Sequence, residues 1–215
     1  MAFRGWPIEG VEFFEGLLAD NSKAYWQENK EIYERGVRAP MDALLAELAP
    51  EFGEGRVYRP YRDVRFSADK TPYKTAIAAH LGSGGYLQMS ADGLSAGIGL
   101  YRPASDQLER YRAAAADDRS GRALVKLAAA ARAAKIDITA HGTLKTAPRG
   151  YPKDHPRIEL LRQKGLIAWR EWPVGAWLGT KQAKDRVVDF LHTAAPINGW
   201  LAKHVGDSDL PDSRR

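Results

Sequence analysis

Apolar residues are spaced at two different periods along the chain. Before residue 56 they recur every three or four positions, as in amphipathic helices, whereas from 56 to 101 they alternate with polar residues, as in strands. Helical spacing returns after residue 104. The predicted helices cover 8–19, 22–37, 41–48, 105–117, 120–135, 154–164, 180–193 and 196–204. The predicted strands cover 56–66, 75–81, 86–90, 94–101 and 166–172.

Turn residues between the strands predict how the strands connect. The segments 82–85 and 91–93 contain glycine and are short enough for hairpins, so the strands form an antiparallel meander. Helices, then antiparallel strands, then helices again indicate an α+β fold in which an antiparallel β-meander packs with N-terminal and C-terminal helices. We expect a single domain over residues 1–205, followed by a flexible C-terminal tail over 206–215.

Composition excludes several classes of protein. The 215 residues include no cysteine, which rules out a disulfide scaffold, a thiolate nucleophile and an iron–sulfur cluster. The five histidines show no spacing typical of a metal site, so neither a metal nor a cofactor is predicted. No apolar run approaches a membrane span, and the first residues lack the apolar stretch of a signal peptide. We therefore expect a cytoplasmic protein with no membrane partner.

The net charge of +5 is unevenly distributed. The first fifty residues carry five basic and nine acidic side chains, whereas residues 56–74 carry six basic and two acidic ones. Two interpretations follow: the acidic helices pair with the basic remainder inside the molecule, or the basic stretch is an anion-binding surface. No block of five consecutive Lys or Arg residues occurs, so nucleic acid is only one of the candidate partners.

The stretch 62–74 concentrates groups that bind anions. Its charged side chains and its tyrosine are Arg62, Asp63, Arg65, Asp69, Lys70, Tyr73 and Lys74. On a strand, Val64 and Phe66 would face a core, while Asp63 and Arg65 would share the opposite face. The carboxylate would then hold the guanidinium ready for an anionic partner, and a turn would bring the later cations close. The alternative is a surface network of ion pairs without a ligand.

Two later elements add candidate residues. In the strand 94–101, Gly97 and Gly99 lie on one face, which indicates close approach by either a packed aromatic side chain or a ligand. Arg112 falls on or beside the buried stripe of the next predicted helix and therefore needs a partner. Asp63 and a ligand anion are both candidates for that partner.

Two longer patterns are similar to those of a known family. Residues 21–30 match N-x-x-x-aromatic-aromatic-x-x-N-K, and residues 62–74 match R-D-x-R-F-S-x-D-K-x-P-Y-K. In these patterns the chain resembles an uncharacterised family, domain of unknown function 2461, although it has Tyr25-Trp26 where that family typically has Trp-Phe. The resemblance covers about residues 10–200 in the same order. It implies a single α+β domain of bacterial or fungal type, and it implies no particular reaction.

These observations lead to one leading hypothesis and two alternatives, none of which specifies an oligomeric state. We expect a polar pocket for an anionic small molecule bearing phosphate or carboxylate; an enzyme of this kind would be a hydrolase or transferase, with Asp63 or Asp69 as base. The residues predicted to line the pocket are Asn29, Lys30, Arg62, Asp63, Arg65, Lys70, Tyr73, Lys74, Arg112 and Arg149. The first alternative is a nucleic-acid-binding module, which requires an open basic face with exposed aromatic residues. The second is a non-enzymatic interaction domain in which the motif is a structural ion-pair network.

Overall fold

The computed structural model describes residues 2–211, and it confirms the predicted α+β fold. The strands are β1 (Arg56–Val57), β2 (Ala76–His80), β3 (Gly85–Ser90), β4 (Gly93–Leu100), β5 (Asp137–Thr139) and β6 (Leu166–Pro173). They form an antiparallel sheet in the order β1-β2-β3-β4-β6-β5. The meander predicted from the alternating period therefore supplies the first four strands of the sheet.

Helices precede and follow the meander. The α-helices are α1 (Ile8–Ala19), α2 (Lys23–Ile32), α3 (Ala39–Phe52), α4 (Ser105–Ala116), α5 (Asp118–Ala133), α6 (Ile158–Arg162) and α7 (Gln182–His204). A π-helix (Tyr33–Arg38) joins α2 to α3, and a 3₁₀ turn (Ala176–Gly179) precedes α7. Ser22 caps α2, because its hydroxyl accepts a hydrogen bond from the Tyr25 backbone N–H at 3.1 Å.

Two helices differ from their predicted bounds because of proline. Helix α7 continues through Pro196, although the prediction ended a helix before it; Ala194 and Ile197 are buried on either side of the proline and hold the helix in place. Helix α6 begins only at Ile158. Pro156 disfavours the helical conformation of the residue before it, so the predicted start near residue 154 is wrong.

The chain divides into two compact units. Unit 1 comprises Met1–Ala96 and Glu171–Asp189, and unit 2 comprises Gly97–Arg170 and Phe190–Arg215. Strands β4 and β6 and helix α7 each run from one unit into the other. A single domain over 1–205 stays a prediction.

In unit 1, helices α1 to α3 and the π-helix enclose an apolar core. Their fully buried side chains include Phe14, Leu17, Val37, Met41 and Leu44. The backbones of α1 and the π-helix approach closely, since a Cβ on Gly10 would lie 2.4 Å from the Gly36 carbonyl oxygen. Glycine at position 10 therefore allows the two helices to pack.

In unit 2, the surroundings of Gly97 and Gly99 on β4 show what lies close to these glycines. A Cβ at Gly97 would lie 2.6 Å from Cε3 of Trp169 on β6, so a packed aromatic side chain, not a ligand, explains this glycine. At Gly99 the backbone has φ +134°, and a Cβ would lie 2.2 Å from the Leu166 carbonyl oxygen. Both glycines therefore serve strand packing.

The C-terminal segment is described as far as Pro211, and its first residues contact α4. Gln107 Nε2 donates to the Gly206 carbonyl oxygen at 2.9 Å, and the Asp209 backbone N–H donates to Asp106 at 2.9 Å. Residues 212–215 of the predicted flexible tail lie outside the described residues. Across residues 2–211, no helix combines the length and hydrophobicity needed to cross a lipid bilayer.

Candidate functional site

Residues 56–74, here called the basic hairpin, leave the sheet at β1 and return at β2. Backbone pairing continues beyond the ends of these strands, with an antiparallel bridge between Tyr61 and Tyr73. Three backbone hydrogen bonds of 2.8–2.9 Å hold the two sides together. The N–H of Tyr58 donates to the carbonyl oxygen of Ala78, that of Lys74 to Pro60, and that of Arg62 to Pro72. Residues 58–62 and 72–74 thus form a paired stem, and residues 63–71 form its tip.

The tip corrects the prediction of a strand over 56–66 with an apolar face on a core. Strand β1 ends at Val57, and the Phe66 side chain is 96% exposed. The Asp63 carboxylate accepts the Arg65 backbone N–H at 3.3 Å, which turns the chain locally. The prediction that Phe66 faces a core is wrong, because a local side-chain hydrogen bond competes with the strand conformation that the alternation suggests.

Two arginine–carboxylate pairs organise the tip. Arg65 donates two parallel hydrogen bonds to Asp63, with Nε–Oδ1 and Nη2–Oδ2 distances of 3.0 and 2.7 Å. Arg62 binds Asp69 and the Thr71 hydroxyl. The predicted contact between Asp63 and Arg65 is present, although it forms in a turn and not on a strand. Each guanidinium of the tip is thus bound to a carboxylate.

Hydrogen bonds keep the two carboxylates of the tip ionised. The Thr71 backbone N–H, followed by Arg62 and the Thr71 hydroxyl, lowers the pKa of Asp69 to about 2. The Arg65 guanidinium lowers the pKa of Asp63. Carboxylates stabilised in this way are weak bases at neutral pH, so the geometry gives little support to either as a general base.

The stem is where the two family-like patterns, residues 21–30 and 62–74, contact each other. The rings of Tyr73 and Trp26 stack in parallel, with centroids 4.2 Å apart and planes 5° apart. The Asn21 side-chain amide accepts the Tyr73 backbone N–H at 3.0 Å and donates to the Tyr73 carbonyl oxygen at 3.1 Å. Burial raises the pKa of Tyr73. Tyr73, predicted as a ligand-binding residue, therefore lies with its ring buried in the stem.

The remaining cations of the hairpin carry its excess positive charge. Among the described residues, Arg56, Arg59, Lys70 and Lys74 make no ion pair with a carboxylate, and the Lys70 ammonium donates to the Val64 carbonyl oxygen at 2.9 Å. Lys74 Nζ lies 5.6 Å from the ring centre of Tyr58. Burial and then the charge of Arg59 lower the pKa of Lys74. An anion bound nearby would relieve the electrostatic repulsion between Lys74 and Arg59.

Four predicted site residues lie on other elements. Asn29 donates to the Tyr25 carbonyl oxygen at 2.9 Å within α2, and Lys30 is exposed on the same helix. Arg112 donates through Nε to the Leu161 carbonyl oxygen at 3.2 Å, and Arg149 is exposed in a turn. Arg112 and Arg149 belong to unit 2, so their convergence with the hairpin stays a prediction.

Sequence reasoning missed the exposed rings of the hairpin. Of the four exposed Phe, Tyr and Trp side chains among residues 2–211, three are here: Tyr58 at 43%, Tyr61 at 51% and Phe66 at 96%. The sequence did carry a signal, since arginine recurs at every third position from 56 to 65 with tyrosines between. The hairpin thus presents cations and aromatic rings together. No cluster of three potential metal ligands occurs in the described part of the chain.

Sequence reasoning also missed the most buried arginine, Arg157. Arg112 is half-buried, whereas the side chain of Arg157 is only 8% exposed. Arg157 donates through Nε to the Ala115 carbonyl oxygen at 2.8 Å and pairs with Asp118 at 3.3 Å. These partners lie at the junction of α4 and α5, so the role of Arg157 is structural.

Comparison with known proteins gives a family and no activity. The sequence profile of a family described as "Conserved hypothetical protein (DUF2461)" matches residues 9–200. No curated protein and no solved structure matches the chain. The matched region contains both elements that meet through Asn21, Trp26 and Tyr73. The chain therefore belongs to the DUF2461 family.

Proposed function

We propose that the basic hairpin binds single-stranded nucleic acid, with cations on the phosphates and exposed rings stacked on bases. The observation that carries this proposal is the interleaving of exposed aromatic rings with cations on one open hairpin. The guanidinium of Arg65 lies 5.9 Å from the ring centre of Phe66, and Lys74 lies beside Tyr58. Open basic surfaces with accessible rings are typical of single-strand binding.

A closed pocket for a small anion receives less support from this geometry. Such a pocket surrounds most of its ligand, whereas the Arg65 side chain is 76% exposed. The two guanidiniums at the tip are also already bound to carboxylates. The anionic small molecule remains the alternative ligand, and an enzymatic reaction is not part of the proposal.

Salt dependence tests the charge part of the proposal. Each phosphate contact on a single strand contributes about 0.7 to the slope of log affinity against log salt, so four cations predict a slope of about −3. The measurement is fluorescence anisotropy with labelled dT and rU oligonucleotides at several salt concentrations. A shallow slope, or no binding of either oligonucleotide, contradicts the proposal; stabilisation by mononucleotides or carboxylates alone favours the small-molecule alternative.

Charge removal locates the binding surface. The double variant Arg59→Ala, Lys70→Ala is expected to lower the slope magnitude by about 1.4, because two phosphate contacts are lost. Arg119→Ala, Lys126→Ala is the matched control, since it removes two exposed cations from α5 in unit 2. Equal effects of the two double variants would show non-specific attraction and would overturn the assignment to the hairpin.

Ring removal tests the stacking part. Phe66→Ala is expected to weaken binding by about 1–3 kcal/mol, the contribution of one stacked base. Tyr101→Ala is the matched control, because Tyr101 is 58% exposed and also has an arginine, Arg102, 5.4 Å from its ring centre. Unchanged affinity for the Phe66 variant would leave only electrostatic attraction and would contradict stacking.

A further inference from the structure

A cavity of about 350 Å³ lies in unit 1 between the N-terminal segment and the π-helix. Its lining includes Phe3, Arg4, Arg35, Ala39, Pro40 and Ala43. None of these residues belongs to the basic hairpin. The volume is at the lower end of the range found for small-molecule sites.

The N-terminal wall of this cavity is held by specific hydrogen bonds. The Phe3 backbone N–H donates to the Glu47 carboxylate at 2.8 Å, and the same carboxylate accepts Lys184 Nζ at 2.6 Å. The Trp6 backbone N–H donates to the Leu178 carbonyl oxygen at 2.8 Å. The N-terminal segment is therefore anchored on both sides of Arg4.

The opposite wall of the cavity is shaped by Pro40, which interrupts the regular α-helical hydrogen bonding. A proline ring at this position would crowd the carbonyl oxygen of Gly36 in a regular α-helix, and it has no N–H to donate. The helix widens instead, and the Ala39 backbone N–H donates to the backbone carbonyl oxygen of Glu34, five residues earlier. Single π-turns of this kind occur frequently at functional sites. This wide turn carries Arg35 and leads into the apolar wall at Ala39 and Ala43.

The cavity lining is mostly apolar, and it includes two exposed arginines, Arg4 and Arg35, and no Asp or Glu. Arg35 forms a loose ion pair with Glu9, with Nη2 and Oε1 3.9 Å apart and no hydrogen bond between them, and the Arg35 side chain is 65% exposed. Arg4 has no ion-pair partner among the described residues. Two cations beside an apolar wall are complementary to a carboxylate attached to a compact apolar group.

We propose that this cavity is a second binding site, which takes a small apolar carboxylate. The carboxylate contacts Arg4 and Arg35, and the apolar group packs against Phe3, Pro40 and Ala43. Inorganic phosphate would satisfy the guanidiniums but would leave the apolar wall uncovered, so a carboxylate is the better match. This site is independent of the hairpin.

Paired probes test the proposal by calorimetry on the full chain. The probes are 4-methylpentanoate and benzoate, each matched by its neutral amide, with inorganic phosphate as a third arm. At least one carboxylate is expected to bind about tenfold or more tighter than its amide, because the amide loses the charge-assisted hydrogen bonds. It is also expected to bind tighter than phosphate, because phosphate leaves the apolar wall uncovered. The amide signals of residues 2–5 and 35–43 are expected to shift in ¹⁵N-resolved NMR spectra.

Three variants assign the binding to this cavity. Ala39→Trp places a large ring at an exposed lining position and is expected to abolish binding. Arg4→Gln, Arg35→Gln is expected to weaken it about tenfold or more. Arg38→Gln is the matched control, since Arg38 pairs with Asp42 at 2.7 Å and is not among the lining residues. Far-UV circular dichroism confirms that each variant is folded.

Clear outcomes would overturn the proposal. Equal affinity for acids and amides, undiminished binding to the Arg4→Gln, Arg35→Gln protein, or no binding of either carboxylate at millimolar concentration each contradicts it. The Phe66→Ala protein is expected to bind the carboxylate as the unmodified chain does. Failure of the cavity proposal therefore leaves the hairpin proposal standing, and the reverse also holds.

Discussion

The stem and the tip of the basic hairpin come from one continuous sequence pattern but have opposite environments. In the stem, Tyr73 is 4% exposed and stacks on Trp26, which is 3% exposed. In the tip, Phe66 is 96% exposed and the two arginine–carboxylate pairs face solvent. A motif can therefore combine residues that stabilise the fold with residues that are free to meet a partner.

This contrast separates two explanations for the same pattern. A purely structural network requires that removing its charged members costs much stability, as removing one partner of a buried pair does. The pairs at the tip are exposed and screened, so they contribute little to the fold. The contacts of the stem account for the structural part of the motif, and the tip is the part that we propose binds nucleic acid.

The largest expected effect is on the stem. Trp26→Ala is expected to lower the free energy of unfolding by about 3–5 kcal/mol, because a buried ring that packs on Tyr73 is lost. Denaturant titration followed by circular dichroism measures the change. Trp26→Phe, which keeps an aromatic ring, is the control and is expected to lose much less; a small effect of Trp26→Ala would contradict a structural stem.

A smaller loss is expected from the side chain that clamps the stem backbone. Asn21→Ala removes both hydrogen bonds to the Tyr73 backbone and is expected to cost about 1–3 kcal/mol. Asn21→Asp is an informative companion, since the carboxylate can still accept the Tyr73 N–H but cannot donate to the carbonyl oxygen. An intermediate stability for the Asp variant would confirm that both bonds contribute.

At the tip we expect almost no change in stability. Phe66→Ala is expected to shift the free energy of unfolding by less than about 0.5 kcal/mol, because the ring is exposed. Arg65→Ala is expected to leave the melting temperature unchanged, because the ion pair of Arg65 with Asp63 is exposed. Loss of fold in the Arg65 variant would support the structural network and would remove the contrast between stem and tip.

The smallest effect is the acid response of the tip. The pKa of Asp69 is lowered from 3.8 to about 2 in the fold, so its contribution to stability is present above pH 3.8 and is lost as the pH falls towards 2. The ¹³C carboxyl resonance of Asp69 is expected to titrate with a midpoint near 2. Thr71→Val, which removes one donor, is expected to raise that midpoint; a midpoint of 3.8 in the unmodified chain would show that these bonds do not form.

Local periodicity predicted much of the fold, and it failed where the chain leaves its elements. Each end of strands β2, β3, β4 and β6 lies within one residue of its predicted position, because alternation is a property of neighbouring positions. Phe66 was misplaced because the same alternation occurs in a turn stabilised by Asp63. Arg157 was overlooked because its burial depends on the carbonyl groups of α4, about forty residues away.

The sequence by itself determined the α+β class, the family and the concentration of charge in residues 56–74. These features depend on composition, local spacing and motif, which need no three-dimensional information. Tertiary structure decided that Asn21 and Trp26 hold Tyr73 across about fifty residues and that Phe66 faces solvent. It also decided that Arg4 and Arg35 share a cavity. Such contacts form only when distant segments pack together, and the packing energy that selects them is not encoded in any short stretch of sequence.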